Sequence, residues 1–368
     1  MKAKRFISDT KTTSMPIFSK LAFIVMTTVL LSACSAAIGA GSVITPTATP
    51  RPTPLILPSP TPVSIPTVGN FRLSPAIAQR AAEGKPLVIR VSYHDISNEF
   101  APFIRRGVVS AVEDLKANVE MIGPVGPDAA VQIAELERLL DVGIDGLAIS
   151  PVDDEALVPI INRYLEQGIP VVTFNTDNPV SDRLAFAGQN LDKSGYEAAQ
   201  LLAEALNGRG DVIITTMDAQ APWSISRETG ARRALAEYPE INIVETVNTG
   251  MEPLEMYTSI EKAMTEHQSV TGILSLECCS TPPAGEYVKR NGLIGTVKVV
   301  GFDELPRTLD LIEAGAIEAS ISQDPERQSY EAVRMLADFI NGETETITNV
   351  DTGIAVIRMN NVSEFVSK

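Results

Sequence analysis

The chain has 368 residues, 44% of them hydrophobic, a net charge of −16 and a pI near 4.7. The apolar content suffices for a large core, and the length suggests two domains. The acidic balance argues against nucleic acid as a partner, because phosphate contacts need clustered Lys and Arg, and it mostly signals solubility.

The N-terminus reads as a targeting segment over 1–33. Lys2, Lys4, Arg5, Lys11 and Lys20 form a basic region. The apolar run Leu21–Leu31 follows, shorter than the roughly 20 residues of a spanning helix. It ends in Leu31-Ser32-Ala33-Cys34. That tetrapeptide resembles the bacterial lipoprotein signal, whose cysteine is lipidated and becomes the new N-terminus; an ordinary secretory signal with an incidental cysteine is the alternative. Residues 34–85 are expected to form a tether and a short helix. Thr45–Thr67 carries prolines at 46, 50, 52, 54, 58, 60, 62 and 66, a density that favours extended polyproline II and packs no core. Ser74 as N-cap, Pro75 at the first position and Gly84 as terminator predict the helix.

From Leu87 strands and helices alternate. Apolar runs predict strands at Leu87–Tyr93, Val119–Ile122, Gly146–Ile149, Val171–Phe174 and Leu184–Ala187. Helical periodicity places helices from Phe100 to Leu115, over Ala129–Asp141, and between Leu157 and Gly168. The pattern then restarts, with helices at Ser194–Leu206, Ser226–Glu237, Leu254–Glu266 and Ala284–Arg290. Strands fall at Val212–Thr216, Ile241–Val247, Gly272–Leu276 and Val297–Phe302. Leu87 and Val171 are separated by almost the same span as Val212 and Val297, and Val171-Val172-Thr173-Phe174-Asn175 parallels Val299-Val300-Gly301-Phe302-Asp303. Strands apolar throughout are buried on both faces, which implies parallel sheets covered by helices. The expected fold is therefore α/β: two similar lobes, each a parallel sheet flanked by helices, joined by a hinge. The first lobe is expected over 86–189 plus 324–350, the second over 190–323 plus 351–368.

In open parallel sheets ligands bind beyond the carboxyl ends of the strands. Asn175 and Asp177 end one such strand and are expected to face a binding crevice. Catalytic signatures are lacking. The two histidines, His94 and His267, sit in no HExxH or Cys/His cluster. Neither a GxSxG elbow nor a GxxxxGK[ST] loop occurs. The many carboxylates suit an acidic surface as well as a two-carboxylate glycosidase. Cys278 and Cys279 are adjacent; they are either two thiols beside the cleft or a strained vicinal bridge, and the strain favours the thiols.

The body from Pro86 onward resembles the ribose-binding-like family of bacterial sugar-binding proteins that serve ABC importers, a fold shared with the sensor domains of lactose-repressor-type regulators. The resemblance rests on Val299-Val300-Gly301-Phe302-Asp303, Ser226-Arg227-Glu228-Thr229-Gly230 and Ala319-Ser320-Ile321-Ser322-Gln323-Asp324-Pro325, with looser matches at Asn98-Glu99-Phe100 and Gly188-Gln189-Asn190. It implies ligand contacts from Asn98, Phe100, Asn175, Arg227, Asp303 and Gln323, with Phe302 packed on the sugar; Glu277 is a weaker carry-over, standing where relatives often have Asn-Asp. Thr176 stands where ribose binders use Arg, so the sugar need not be ribose. Such groups suit the chemistry: carboxylates accept from hydroxyls, Arg donates in a planar fork, and aromatic rings cover the apolar C–H face. Trp223, the only tryptophan, is expected in the loop after Val212–Thr216 and either stacks on the ligand or packs on its own lobe; His94 could donate to a hydroxyl but reads first as structural. The implied protein is no enzyme and uses no cofactor or metal. It is expected to be a lipid-anchored, extracytoplasmic monomer that binds a monosaccharide or polyol and partners an ABC permease. A chemoreceptor or sensor component, and then a surface glycosidase, are the alternatives.

Overall fold

A computed structural model describes residues 64–366; the targeting segment, Cys34 and most of the Pro-rich stretch lie outside them. Along the chain the elements are β1 (Thr67–Val68), β2 (Phe71–Arg72), α1 (Pro75–Ala82), β3 (Val88–Ser92), α2 (Ala101–Leu115), β4 (Asn118–Ile122), α3 (Ala129–Val142), β5 (Gly146–Ile149), α4 (Val158–Glu166), β6 (Val171–Phe174) and β7 (Ala185–Gly188). The second series is α5 (Leu191–Ala205), β8 (Arg209–Thr216), α6 (Pro222–Leu235), β9 (Glu240–Asn248), α7 (Pro253–Glu266), β10 (Val270–Ser275), α8 (Thr281–Arg290), β11 (Lys298–Phe302), α9 (Pro306–Glu313) and β12 (Ala319–Ser322). It is followed by α10 (Pro325–Ile340), β13 (Val350–Asp351) and β14 (Ala355–Ile357).

Two six-stranded sheets result. The first runs β13-β7-β6-β5-β3-β4 and is parallel throughout. The second runs β14-β12-β11-β10-β8-β9 and is parallel except for β14, which pairs antiparallel with β12. The apolar runs explain the class: β5, β6 and β12 are buried at every position, as strands covered on both faces must be. This is the α/β, two-lobed architecture expected from the alternating pattern.

The chain passes between the sheets three times: after β7, after β12, and between β13 and β14. As a result α5 packs on the second sheet and α10 on the first. These three crossings are the hinge.

The short helix expected after Ser74 is present as α1, but the residues from Ile65 up to it are packed on the body rather than forming a free tether. Leu73, Ile77 and Ala78 are buried in the first lobe's core, Ile65, Val68 and Phe71 pack against it, and the Phe71 ring lies 5.9 Å from that of Phe339. Proline density ends at Pro66, and the apolar residues beyond it have enough surface to offset the ordering cost. The segment docks where Gly168, at φ +73°, turns the chain after α4; Ser74 N–H donates to its carbonyl at 2.9 Å. The Ser74 hydroxyl makes no capping bond.

Candidate ligand-binding site

One cavity is lined by residues that directly follow strands of both sheets. Tyr93 and His94 come after β3, Asn175 and Thr176 after β6, Met217 after β8, Glu277 and Cys278 after β10, Asp303 after β11 and Gln323 after β12. Asn98 and Phe100 at the start of α2, Leu191 at the start of α5, and Trp223 and Arg227 on α6 complete the wall. The empty space is about 440 Å³ when the open solvent at its mouth is counted, of which about 50 Å³ admits the centre of a water molecule.

The second lobe supplies the charged groups. α6 begins at Pro222, earlier than periodicity suggested, because proline at the first helical position presets φ. Trp223 therefore rides on the same helix, one turn before Arg227, which the expected helix from Ser226 already held. The helix is held against α5 by backbone contact. A Cβ at Gly195 would fall 2.0 Å from the Arg227 carbonyl, and one at Gly230 would fall 1.9 Å from the Asp192 carbonyl, so only glycine permits the crossing that sets where Arg227 emerges. The Arg227 guanidinium lies 4.1 Å from the centroid of the Phe302 ring, and Nη1 donates to the Leu276 carbonyl at 2.8 Å. Arg227 is buried, and its Nε has no hydrogen-bond partner. Burial lowers its pKa, opposed by Asp303 and Glu277.

Those two carboxyls are buried as well. Burial raises Asp303 to about 6, against the pull of Arg227 and a hydrogen bond from Gln323 Nε2 at 2.8 Å. Burial raises Glu277 to about 7; Ser280, Arg227, Thr216 and the Met217 amide act the other way, yet neither oxygen makes a well-formed hydrogen bond. A buried polar atom left unmade costs about 1–3 kcal/mol, so Arg227 Nε and the Glu277 carboxylate form a site strained toward a ligand that can both donate and accept.

The first lobe supplies flat and polar surfaces. The His94 ring stacks on Trp223 across the lobes, with centroids 5.1 Å apart and planes 18° from parallel. Its Nδ1 meets Ser150 Oγ at 2.9 Å, and burial pushes its pKa down to about 4, so it is neutral at pH 7. Asn98 Oδ1 accepts from the amides of Phe100 and Ala101 at 3.1 and 2.8 Å, which fixes the start of α2 and turns Phe100 inward. Asn175 and Asp303 end equivalent strands, and both adopt the left-handed region, at φ 59° and 69°, which Asn and Asp tolerate best among side-chain-bearing residues. That break aims each side chain at the cleft. Asn175 Nδ2 donates to Gln328 Oε1 at 2.9 Å and to Gln323 Oε1 at 3.4 Å. With the Gln323–Asp303 bond, a relay runs from the end of one sheet to the end of the other through the hinge.

Asn98, Phe100, Asn175, Trp223, Arg227, Glu277, Asp303 and Gln323 thus share the cavity. Two of the residues singled out from sequence do not. Asp177 is turned away: Arg183 Nε and Nη2 each donate to it at 2.6 Å, as do Thr173 Oγ1 at 2.6 Å and the Asn178 amide at 2.8 Å. It borders a neighbouring groove instead. Phe302 is wholly buried beneath Arg227; in a strand residues alternate sides, and this ring faces the core while Asp303 turns out. Sequence reasoning missed Tyr93, Leu191 and Met217 as wall residues and Gln328 as a bridge. Tyr93 had a usable signal in its place at a strand end; Leu191 and Met217 look like core residues and had none. Among the described residues no helix is long and apolar enough to cross a membrane, and no Asp, Glu, His and Cys cluster fits a metal.

The model of the periplasmic binding protein domain matches residues 89–344. The xylose/arabinose-binding protein XylF of Sulfolobus acidocaldarius is 24% identical over 290 residues, covering 74% of this chain and 71% of its own. The D-ribose/D-allose-binding protein of Pseudomonas aeruginosa is 26% identical over 231 residues, covering 59% and 70%. Among solved structures, an ABC transporter solute-binding protein of Burkholderia graminis in complex with D-arabinose is 27% identical, with a TM-score of 0.72 over 76% of this chain and 97% of that one. AraP, an arabinose-binding protein of Geobacillus stearothermophilus, is 27% identical, with a TM-score of 0.65 over 76% and 99%. The match runs from β3 through α10 and so takes in both sheets and two of the three crossings: the chain belongs to the periplasmic binding protein family.

Proposed function

We propose that this protein captures a monosaccharide or related polyol between its lobes, outside the cytoplasm, and delivers it to an ABC importer. It is held at a membrane by lipidated Cys34 and the Pro-rich segment behind it, and works as a monomer, since one chain supplies both walls of the cavity. The observation that carries the reading is the meeting of Arg227 Nε, Glu277 and Asp303, all buried and the first two lacking well-formed bonds, around one cavity. Sugar hydroxyls donate and accept at once, so a single ring can satisfy the guanidinium and the carboxylates together. Phe100 and the Trp223–His94 stack offer apolar faces for the C–H side of such a ring. Two carboxyls against one guanidinium disfavour sugar phosphates. The relatives' names point to pentoses and hexoses. A ligand gripped by both lobes favours the closed state because only there does it make both sets of contacts.

Calorimetric titration with D-xylose, D-arabinose, D-ribose, D-allose and an inositol tests this. One of them should bind one-to-one, with intact sugar recovered; binding of none would sink the reading. Mass spectrometry of the mature protein should find a lipidated Cys34 at its N-terminus, and an unmodified N-terminus at any other residue rules the anchor out.

A further inference from the structure

Cys278 and Cys279 sit in the turn between β10 and α8. Both are free, with their Sγ atoms 2.8 Å apart, about 0.8 Å beyond bonding distance. Cys278 is buried on the cavity wall and Cys279 is half-buried. Although the turn belongs to the second lobe, Cys278 lies within the apolar cluster built on the first sheet, and Cys279 packs against that cluster. The pair therefore stands at the seam of the two lobes. The residues on either side hold the ligand machinery: the Leu276 carbonyl anchors Arg227, Glu277 offers its carboxylate, and Thr281 Oγ1 donates to the Glu277 carbonyl at 2.7 Å.

We propose that Cys278 and Cys279 close into a vicinal disulfide that forms part of the cavity wall and tightens the grip of the cleft on its ligand. For its ligand, this rests on the sugar-binding reading; its chemistry does not. Adjacent Cα atoms are about 3.8 Å apart, below the usual disulfide range, so the ring is strained and easily reduced. It therefore follows the ambient redox state. The oxidant is an external disulfide. The Cys279 thiolate, the more accessible of the two, attacks it and expels one thiolate, leaving a mixed disulfide on Cys279. Cys278 then gives up its proton to that departed thiolate, attacks the Cys279 sulfur and expels the second thiolate. Two protein thiols become one disulfide while the external disulfide becomes two thiols. The ring locks the turn that positions Glu277 and Arg227, and a preorganised site binds more tightly.

The test uses the full-length protein equilibrated with glutathione disulfide or with dithiothreitol. Oxidation should remove two thiols, lower the mass by two hydrogens on the peptide holding Cys278-Cys279, shift Trp223 emission without sugar, and raise affinity for whichever of D-xylose, D-arabinose or D-ribose binds by about fivefold or more. Cys279→Ser should show the reduced form's emission and affinity in both buffers. Two thiols surviving in glutathione disulfide would overturn the inference, as would a bridge that leaves the affinity of a bound sugar unchanged. If none of the sugars binds either form, the sugar reading falls, and the thiol count with Trp223 emission decides the disulfide alone: loss of two thiols with a shift supports it, and no loss or no shift overturns it.

Discussion

Replacing Asp303 with Asn should stabilise the unliganded protein while weakening sugar binding. Burial raises the Asp303 pKa from 3.8 to about 6. Each pKa unit is about 1.4 kcal/mol, so the ionised carboxylate burdens the folded state by up to about 3 kcal/mol at pH 7.5. The sign follows from linkage: an acid whose folded pKa lies above its unfolded value favours folding most below pH 4, and that advantage is lost as pH rises through 6. Asn keeps the shape and still accepts from Gln323 without carrying the charge. The melting temperature of Asp303→Asn should therefore exceed that of the parent by several degrees at pH 7.5, and the two should converge near pH 4. The same substitution removes charge-assisted bonds from sugar hydroxyls, worth about 1.5–3 kcal/mol each, so affinity should fall about 10- to 100-fold. Scanning calorimetry at pH 4 and 7.5, paired with titration of the cognate sugar, reads both effects. A variant less stable than the parent with affinity intact would refute the reasoning.

Other outcomes follow from the same geometry. Unliganded stability should rise as pH falls from 7.5 to 5, because Asp303 and Asp154 near 6 and Glu277 and Glu304 near 7 all prefer protonation in the fold; His94, pushed down to about 4, opposes this between pH 6.5 and 4 but is one group against four. Sugar binding should release protons between pH 6 and 7, visible as a buffer-dependent enthalpy, since hydroxyls donating to Asp303 and Glu277 favour their charged forms. Gly230→Val should cost about 3 kcal/mol or more by chemical denaturation, because its side chain would meet the Asp192 carbonyl. Sugar phosphates should bind far more weakly than the corresponding sugars in the same titration, given the two buried carboxyls.

The fold was legible because its signals are local: apolar strands, amphipathic helices and polar residues at strand ends. Asn175 and Asp303 were visible for that reason, and their shared left-handed backbone shows why those two residue types stand at equivalent places. Arg227 was legible through its motif, though not the reason for the glycine three residues on, which lies in a helix crossing remote in sequence. Asp177 misled because nothing near it in sequence distinguishes a carboxylate aimed at a ligand from one held by Arg183. The stack of His94 on Trp223, and the parts played by Leu191 and Met217, depend on how two lobes meet, and no local pattern encodes that.

Capture between the lobes turns on where a sugar sits. A crystal structure of the protein with its cognate sugar tests it most directly. The ring should lie between the sheets, within hydrogen-bond reach of Arg227 Nε and the Asp303 carboxylate, with one face toward Phe100 or Trp223. Sugar bound outside this cavity, or touching neither Arg227 nor Asp303, would contradict it.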